Sequence, residues 1–273
     1  MIKIVTDSSS DLIALDGVPF ASAALQINTD SKVYVDNGDL NVDEMVNAMY
    51  KYSGKSFTSC PNVNDWLEAF GDAEEIFCIT ITSNLSGSYN SACSAKKEYE
   101  EKYPSRRVKV IDSLSTGPEM ALIAEKIREL ILAGKSFDEI SESLPEYKTE
   151  LLFVLESMKN LANNGRVSKL AAIAAGILGI RAIGKASDVG TLEMLSKCRG
   201  TAKTVDALVS YMKEMGYNGG KVRIAHCQNP DAARDLSAKI AAAFPTAKID
   251  IGISRGLCSF YAEKGGMLIG FEV

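Results

Sequence analysis

Short β-rich runs alternate with helical patterns through the first half of the chain. Residues 2–6, 76–82 and 108–112 are rich in Ile, Val and Thr and predict strands, and residues 26–35 predict a hairpin that turns at 28–31. Apolar residues at three- and four-residue spacing predict helices over 42–52, 64–70, 87–99 and 119–132. Such alternation is typical of βαβ units, so we expect an α/β fold built on a largely parallel sheet.

The second half predicts an α+β unit that begins after Pro145. Its predicted strands span 151–155, 181–185, 191–197, 221–226, 248–251 and 267–271, and its predicted helices span 167–178, 201–215 and 231–243. A length of 273 residues favours two domains at roughly 100–200 residues each. We place the boundary near residues 146–149, which divides the chain into domains 1–149 and 150–273.

Charge and cysteine usage narrow the classes of function. With 35 acidic and 30 basic residues the net charge is −5, the wrong sign for a protein whose main partner is nucleic acid. The longest stretch free of strongly polar residues, 170–180, is well short of the ~20 residues that a membrane-spanning helix needs. The first residues read as a strand rather than a signal peptide, and the six cysteines form no close pair. We therefore expect a cytoplasmic protein with reduced thiols.

Three predicted strands run directly into clusters of hydroxyl residues. These clusters span residues 6–10, 80–88 and 112–117. The carboxyl ends of parallel strands share one sheet edge, where helix N-termini offer N–H groups to an anion, so the clusters predict a polar floor for a small anionic group. Each cluster could instead supply only a helix N-cap.

Other candidate site residues are isolated. Residues 57–62 add further hydroxyls before a helix, and Gly87 permits close backbone approach by a ligand or simply starts a helix. The only histidine, His226, ends a predicted strand, where capping or packing is the simpler role. No cluster has metal-ligand spacing, and the glycines fit neither a Walker A nor a dinucleotide fingerprint, so we expect no metal and no cofactor.

The stretch 170–180 is rich in Ala and Gly. On a helix that faces the other domain, such small side chains could leave a slot for an alkyl chain, or they could pack tightly against a sheet. Arg166 lies at a turn just before this stretch, where it could equally be a solvated surface charge.

Taken in this order, the segments resemble the DegV family of bacterial fatty-acid-binding proteins, which includes the lipid-binding subunit of fatty acid kinase. The motifs that carry the resemblance are Thr6-Asp7-Ser8, Thr58-Ser59-Cys60-Pro61, residues 85–92, Ile111-Asp112-Ser113 and residues 161–167. The resemblance spans essentially the whole chain. It implies a Rossmann-like N-terminal domain and a C-terminal α/β domain, with an acyl chain buried between them.

The resemblance also implies a set of ligand-binding residues. Thr58, with Ser59 beside it, and Ser86 would hold the fatty acid carboxylate, with the N–H groups of Gly87 and Ser88 nearby. Arg166 matches the arginine that lies near the phosphate during acyl phosphate formation. Family members usually carry a histidine before a Gly-Pro-Gly turn near the end of the chain. In the corresponding stretch 255–266 we assign Cys258 to the position of that histidine.

The sequence therefore predicts a lipid-binding protein, not an enzyme, that presents a long-chain fatty acid to a separate fatty acid kinase. Burial of a long acyl chain offers roughly 10 kcal/mol before association costs, so two hydroxyls and a helix start suffice for the head group. An enzyme that uses Ser86 or Cys258 as a nucleophile on an acyl or hydroxylated substrate is the first alternative. An interaction module without a ligand is the second.

Overall fold

Four parallel strands form the first sheet, called sheet A. Its order is β2-β1-β6-β7, with β1 at Ile2–Asp7, β2 at Phe20–Ala23, β6 at Glu75–Thr80 and β7 at Arg107–Asp112. All three pairings are parallel, which confirms the expected parallel sheet. The computed structural model describes residues 1–167 and 179–273. The helix predicted over 167–178 therefore lies almost wholly outside the described residues.

A small antiparallel sheet, sheet B, follows β2 in the chain. It has the order β4-β3-β5, with β3 at Gln26–Thr29, β4 at Val33–Val35 and β5 at Ser56–Ser59. The β3–β4 pair confirms the predicted hairpin, whereas β5 lies where no strand was predicted. Helix α1 connects β4 to β5 and spans Val42–Lys51.

The remaining helices before residue 149 cover sheet A. Helix α2 spans Val63–Phe70, α3 spans Ser88–Lys102, α4 spans Pro118–Leu132 and α5 spans Phe137–Ser143. Short 3-10 turns lie at Ser8–Ser10 and Leu144–Glu146. Helix α4 packs on β1 and β6 and also on strands of the next sheet, so it is buried between the two.

Six strands form the mixed sheet C, in the order β10-β9-β8-β13-β11-β12. They are β8 at Thr149–Leu155, β9 at Ile180–Ala186, β10 at Leu192–Arg199, β11 at Lys221–His226, β12 at Lys248–Ile253 and β13 at Met267–Glu272. Only β11 and β12 pair in parallel. The described helices in this half are α6 at Lys159–Asn163, α7 at Thr201–Glu214, α8 at Pro230–Ala243 and α9 at Gly256–Ala262. None of the described helices has the length and apolarity needed to cross a membrane.

The two halves share a hydrophobic core. Sheets A and B use only residues before 149 and sheet C only residues from 149 onward, so the chain changes sheet at the predicted boundary. One core cluster nevertheless joins Ile27 and Met45 from the first half to Phe153 and Phe260 from the second. Helix α9 also crosses over, because it packs against the 3-10 turn at Ser8–Ser10, α1 and β3.

Candidate functional site

An apolar cavity lies between sheet C and the carboxyl edge of sheet A. Its lining encloses about 690 Å³ of space between atoms, a volume that includes open solvent at the mouth. Most of its lining is aliphatic or aromatic, and the polar side chains among its described lining residues are Thr58, Ser86, Thr116, Arg166, Cys258 and Tyr261. The cavity can therefore hold an apolar body and contact a polar group at a few defined points.

Strand β8 supplies much of the apolar wall. Side chains alternate along a strand, so Leu151, Phe153 and Leu155 face the cavity. Leu152 and Val154 point the other way and belong to the core that includes residues of α7 and α8. One continuous apolar run thus builds both the cavity wall and the core behind it.

Thr58 and Tyr261 meet at the polar part of the cavity. Thr58 lies on β5, and its Oγ1 is 2.7 Å from the hydroxyl of Tyr261, the penultimate residue of α9. Burial raises the pKa of Tyr261, so its phenol is protonated at neutral pH and acts as an uncharged donor. Together the two hydroxyls can donate to a carboxylate placed beside them.

Ser86 reaches the cavity from the loop between β6 and α3. Its Oγ accepts a hydrogen bond from the Ser88 N–H at 3.3 Å. The Ser88 hydroxyl is buried and donates to Asp7 Oδ2 at 2.6 Å, so that side chain points away from the cavity. A Cβ on Gly87 would lie 3.3 Å from the Cys60 sulfur, and glycine thus lets the start of α3 approach the turn after β5.

Two of the predicted hydroxyl clusters hold loops together. Asp7 is fully buried and accepts hydrogen bonds from Ser9, Ser88 and the Ile81 N–H, the last at 2.9 Å. Burial raises its pKa. Asp112 Oδ1 accepts from the N–H groups of Ser83 and Leu114 at 3.1 Å each. Asp7 caps the 3-10 turn at Ser8–Ser10, so the capping alternative holds for the first cluster. Neither α3 nor α4 has a side-chain cap, and Asp112 instead holds loop N–H groups. The two carboxylates together fix the loop that carries Ser86.

Ser59 lies on the opposite face of β5 from Thr58. Its Oγ accepts a hydrogen bond from the Asn28 side chain at 3.3 Å, and it is absent from the described lining of the cavity. The alternation of side chains along a strand explains this, since neighbouring residues cannot face the same side. The structure brings Thr58 and Ser86 to the cavity and leaves Ser59 outside it.

Arg166 is tied to the mouth of the cavity rather than free on the surface. Its Nε donates to the Leu85 carbonyl at 3.2 Å, and Nη1 donates to the Asn164 carbonyl at 2.5 Å. Its guanidinium carbon lies 5.9 Å from the centre of the Tyr261 ring. The cation therefore stands beside the Thr58–Tyr261 pair, and it links the loop before α3 to the turn after α6.

Cys258 lines the cavity, but its thiol already makes a hydrogen bond within the protein. Only 4% of the residue is exposed, and Sγ donates to the Ser9 carbonyl at 3.3 Å. Burial raises the pKa of this thiol well above its ordinary range, and the nearby Asp11 raises it further. Cys258 is therefore a neutral thiol against the backbone. The side chain that reaches Thr58 is Tyr261, three residues further on.

The sequence did not identify Tyr261 as a ligand-binding residue, because no secondary structure was assigned to residues 255–266, whereas residues 256–262 form α9. Helix α9 ends at Glu263, whose φ of +56° starts the turn into β13. Tyr261 lies two residues before Glu263, where that turn begins. The turn was the available signal, since the family histidine is expected just ahead of a turn.

Two buried carboxylates position α9. Asp36 accepts from the N–H groups of Gly256 and Leu257 at 2.8 Å each, and Asp11 accepts from the Arg255 N–H at 2.7 Å. Burial raises the pKa of Asp36 and raises that of Asp11 to about 7. These bonds fasten the start of α9 to the first half of the chain and so fix where Tyr261 points.

His226 lies away from the cavity lining. Its Nδ1 accepts from the Asn229 N–H at 3.3 Å, which matches the capping role considered for it. Within residues 1–167 and 179–273, no group of three or more His, Cys, Asp or Glu side chains could hold a metal ion.

An α/β fold with an apolar cavity, whose described polar lining includes hydroxyls and an arginine, is typical of proteins that bind a small amphiphilic molecule. The chain belongs to the DegV family, whose model is described as an uncharacterised protein family and matches residues 1–272. A DegV domain-containing protein of Streptococcus pneumoniae is 44% identical, over 99% of each chain.

Two solved structures are similar over the whole chain. A DegV family protein from Eubacterium eligens, loaded with heptadecanoic acid, superimposes with a TM-score of 0.98 at 44% identity and covers 100% of both chains. The Fatty Acid Kinase (Fak) B3 protein of Streptococcus pneumoniae, loaded with linoleic acid, gives 0.97 at 44% identity and covers 100% of this chain and 99% of that one.

Proposed function

We propose that this protein binds a long-chain fatty acid in the cavity and presents its carboxyl group to a separate fatty acid kinase, which forms the acyl phosphate. The observation that carries the proposal is the apolar cavity whose polar part is the Thr58–Tyr261 pair with Arg166 beside it. Support comes from the two similar structures at 44% identity, each loaded with a fatty acid.

The cavity wall supplies most of the binding free energy. Burial of each methylene is worth about 0.8 kcal/mol, so a long chain gains roughly 10 kcal/mol before association costs. The wall formed by Leu151, Phe153, Leu155 and Leu268 makes no hydrogen-bond demand on the ligand. It therefore favours an unsubstituted alkyl or alkenyl chain over a polar molecule of similar size.

The head group is held by neutral hydroxyls beside one fixed cation. On binding, the single hydrogen bond between Thr58 and Tyr261 breaks, both hydroxyls donate to the carboxylate, and Ser86 donates from the facing loop. Hydrogen bonds to a charged group contribute about 1.5–3 kcal/mol each. Cys258 is not needed as a donor, because Tyr261 occupies the place beside Thr58.

Presentation to a kinase follows from where the polar groups lie. Ser86 and Arg166 belong to segments at the cavity mouth, so the carboxylate is held near the surface while the chain is enclosed. A partner that carries the nucleotide can then reach the carboxyl oxygen. Arg166 would face the phosphate that is transferred. The name of the similar pneumococcal structure, Fatty Acid Kinase (Fak) B3 protein, supports a kinase as the partner.

The enzyme alternative receives no support from the site. The Cys258 thiol has a raised pKa, and the Ser86 hydroxyl has no imidazole among the described residues of the cavity to take its proton. An interaction module without a ligand would need a filled seam, whereas the seam between the sheets contains the cavity.

We place the protein in the cytoplasm and divide it into domains 1–149 and 150–273. The cytoplasmic assignment is supported by the six cysteines, all of which are unpaired. The division is supported by the change from sheets A and B to sheet C at residue 149.

Native mass spectrometry of the protein purified from a bacterial host tests the binding function. We expect a mass increment equal to one long-chain fatty acid, which delipidation removes and added oleic acid restores. A delipidated protein that stays at its apo mass with excess oleic acid would contradict the proposal. The kinase step is tested by adding a bacterial fatty acid kinase with ATP and measuring acyl phosphate, for which Arg166→Ala should lower the rate.

A further inference from the structure

The β9–β10 hairpin of sheet C reaches across to sheet A. Its tip, residues 187–191, is internally ordered: Ser187 N–H donates to the Thr191 carbonyl at 2.8 Å, and Gly190 N–H donates to the Ser187 carbonyl at 2.7 Å. Among the described strands, β10 is the outer strand of the sheet and pairs with β9 alone. The hairpin thus ends in a hydrogen-bonded turn next to an edge strand.

Two hydrogen bonds join the tip to the loop that carries Ser86. Thr82 Oγ1 donates to the Gly190 carbonyl at 2.9 Å, and Asn84 Nδ2 donates to the Val189 carbonyl at 2.6 Å. Thr82 is buried by this contact, while Asn84 and Val189 are exposed at its edge. The tip therefore spans from sheet C to the carboxyl edge of sheet A on one side of the cavity.

Position 190 of the hairpin tip requires glycine. The residue has a φ of +75°, and a Cβ there would lie 2.2 Å from Thr82 Oγ1 and 3.0 Å from the Leu114 backbone. Leu192, two residues beyond, lines the cavity. A displaced tip would thus carry part of the cavity wall with it.

We propose that the hairpin tip at residues 187–191 is a latch that closes the cavity against sheet A and sets how fast the ligand enters and leaves. This inference rests on the proposed function. The two side-chain bonds that hold the latch involve residues outside the cavity lining, so the variants that weaken them remove no side chain that lines the cavity. A change in the opening equilibrium multiplies the association and dissociation rate constants alike and leaves Kd unchanged.

The test compares two glycine variants in stopped-flow exchange of cis-parinaric acid, a fluorescent long-chain fatty acid. Gly190→Ala places a methyl group against Thr82, whereas Gly134→Ala adds one at a similar φ of +78° with nothing within 4 Å. Both variants place an alanine at a positive φ, but only Gly190→Ala displaces the latch. We expect Gly190→Ala to raise both rate constants about tenfold over Gly134→Ala, as for the loss of two hydrogen bonds, with Kd unchanged.

Asn84→Ala provides a second, milder variant in case Gly190→Ala does not fold. It removes one exposed hydrogen bond, and both rate constants should rise about threefold or more. Rates equal to those of Gly134→Ala in the folded variants would overturn the latch, as would a faster dissociation alone with a weaker Kd. Wild-type protein that fails to bind the probe would instead contradict the proposed function.

Discussion

At the scale of single residues, the contact between Thr58 and Tyr261 does most to define the head-group site. The phenol is buried and uncharged, so it binds a carboxylate without adding a group that titrates near neutral pH. An imidazole at this place would change its charge between pH 5 and 8. The tyrosine therefore makes head-group binding less dependent on pH in this range.

Replacement of Tyr261 by phenylalanine tests this assignment. The ring still fills its place, but the donor to the carboxylate is lost, so Kd for oleic acid should rise about tenfold or more. Isothermal titration of the delipidated variants measures the change. Tyr50→Phe, at an exposed tyrosine, is the matched control and should bind like the wild type. Equal affinity of both variants would show that the head group lies elsewhere.

Asp11 gives the protein a pH dependence that can be measured. Burial raises its pKa from 3.8 to about 7, so the folded state takes up a proton that the unfolded state releases. The stability that this proton contributes is fully present below pH 3.8 and is lost as the pH rises through 7. Relative to the wild type, Asp11→Asn should therefore become progressively more stable between pH 4 and pH 8, by about 1–4 kcal/mol in total.

Urea unfolding across this pH range measures the effect. An asparagine can still accept the hydrogen bond from the Arg255 N–H, so α9 keeps its cap. Asp16→Asn, at an exposed aspartate of the same segment, is the control and should follow the wild-type profile. If the two variants had parallel profiles, Asp11 would not be the titrating group.

At the scale of elements, α9 joins the two halves of the chain and also carries a residue of the head-group site. Asp36 holds its first N–H groups, and Tyr261 at its other end faces Thr58. Asp36→Ala should leave two buried N–H groups without acceptors, at a cost of about 1–3 kcal/mol each. We also expect weaker binding of oleic acid, although Asp36 does not line the cavity.

Hydrogen exchange of α9 distinguishes this coupling from a general loss of stability. Amide protons of residues 256–262 should lose protection in Asp36→Ala more than those of α8 do. Asp36→Asn keeps one acceptor and should restore part of both protection and affinity. A uniform loss of protection across both helices would contradict a specific role for Asp36.

The elements that sequence patterns predicted well are those with strong local signals. Helix α4 begins at Pro118, favoured in a first helical turn, and strands β6 and β8 are apolar runs with clear ends. Strands β2 and β5 have only four residues each, and neighbouring strands define them. Helix α9 is capped by Asp36, some 220 positions away, which no local pattern reveals.

The same distinction applies to the site. The resemblance to the family named Thr58, Ser86 and Arg166, each of which lies in a short local motif. The choice between Cys258 and Tyr261 depends on the helical conformation of α9. Cys258 contacts the Ser9 carbonyl, whereas Tyr261, three residues further along the helix, lies beside Thr58. Ser59 likewise does not line the cavity, because its side chain lies on the opposite face of β5 from Thr58.

At the scale of the whole molecule, the shared core makes the two halves one unfolding unit. Helix α4 packs on both sheets, and α9 extends from the second half into the first. The delipidated protein should therefore unfold in one calorimetric transition. Oleic acid at 100 times Kd should stabilise the whole molecule by about 2.7 kcal/mol. Two separate transitions, only one of them raised by oleic acid, would contradict this coupling.

The most direct test of the central claim is a crystal structure of the protein in complex with oleic acid. We predict that the acyl chain lies along Leu151, Phe153 and Leu155 in the cavity. Its carboxylate should lie within hydrogen-bonding distance of Thr58, Ser86 and Tyr261, with Arg166 at the mouth. A cavity filled by the protein's own side chains, or a carboxylate bound away from these hydroxyls, would contradict the account.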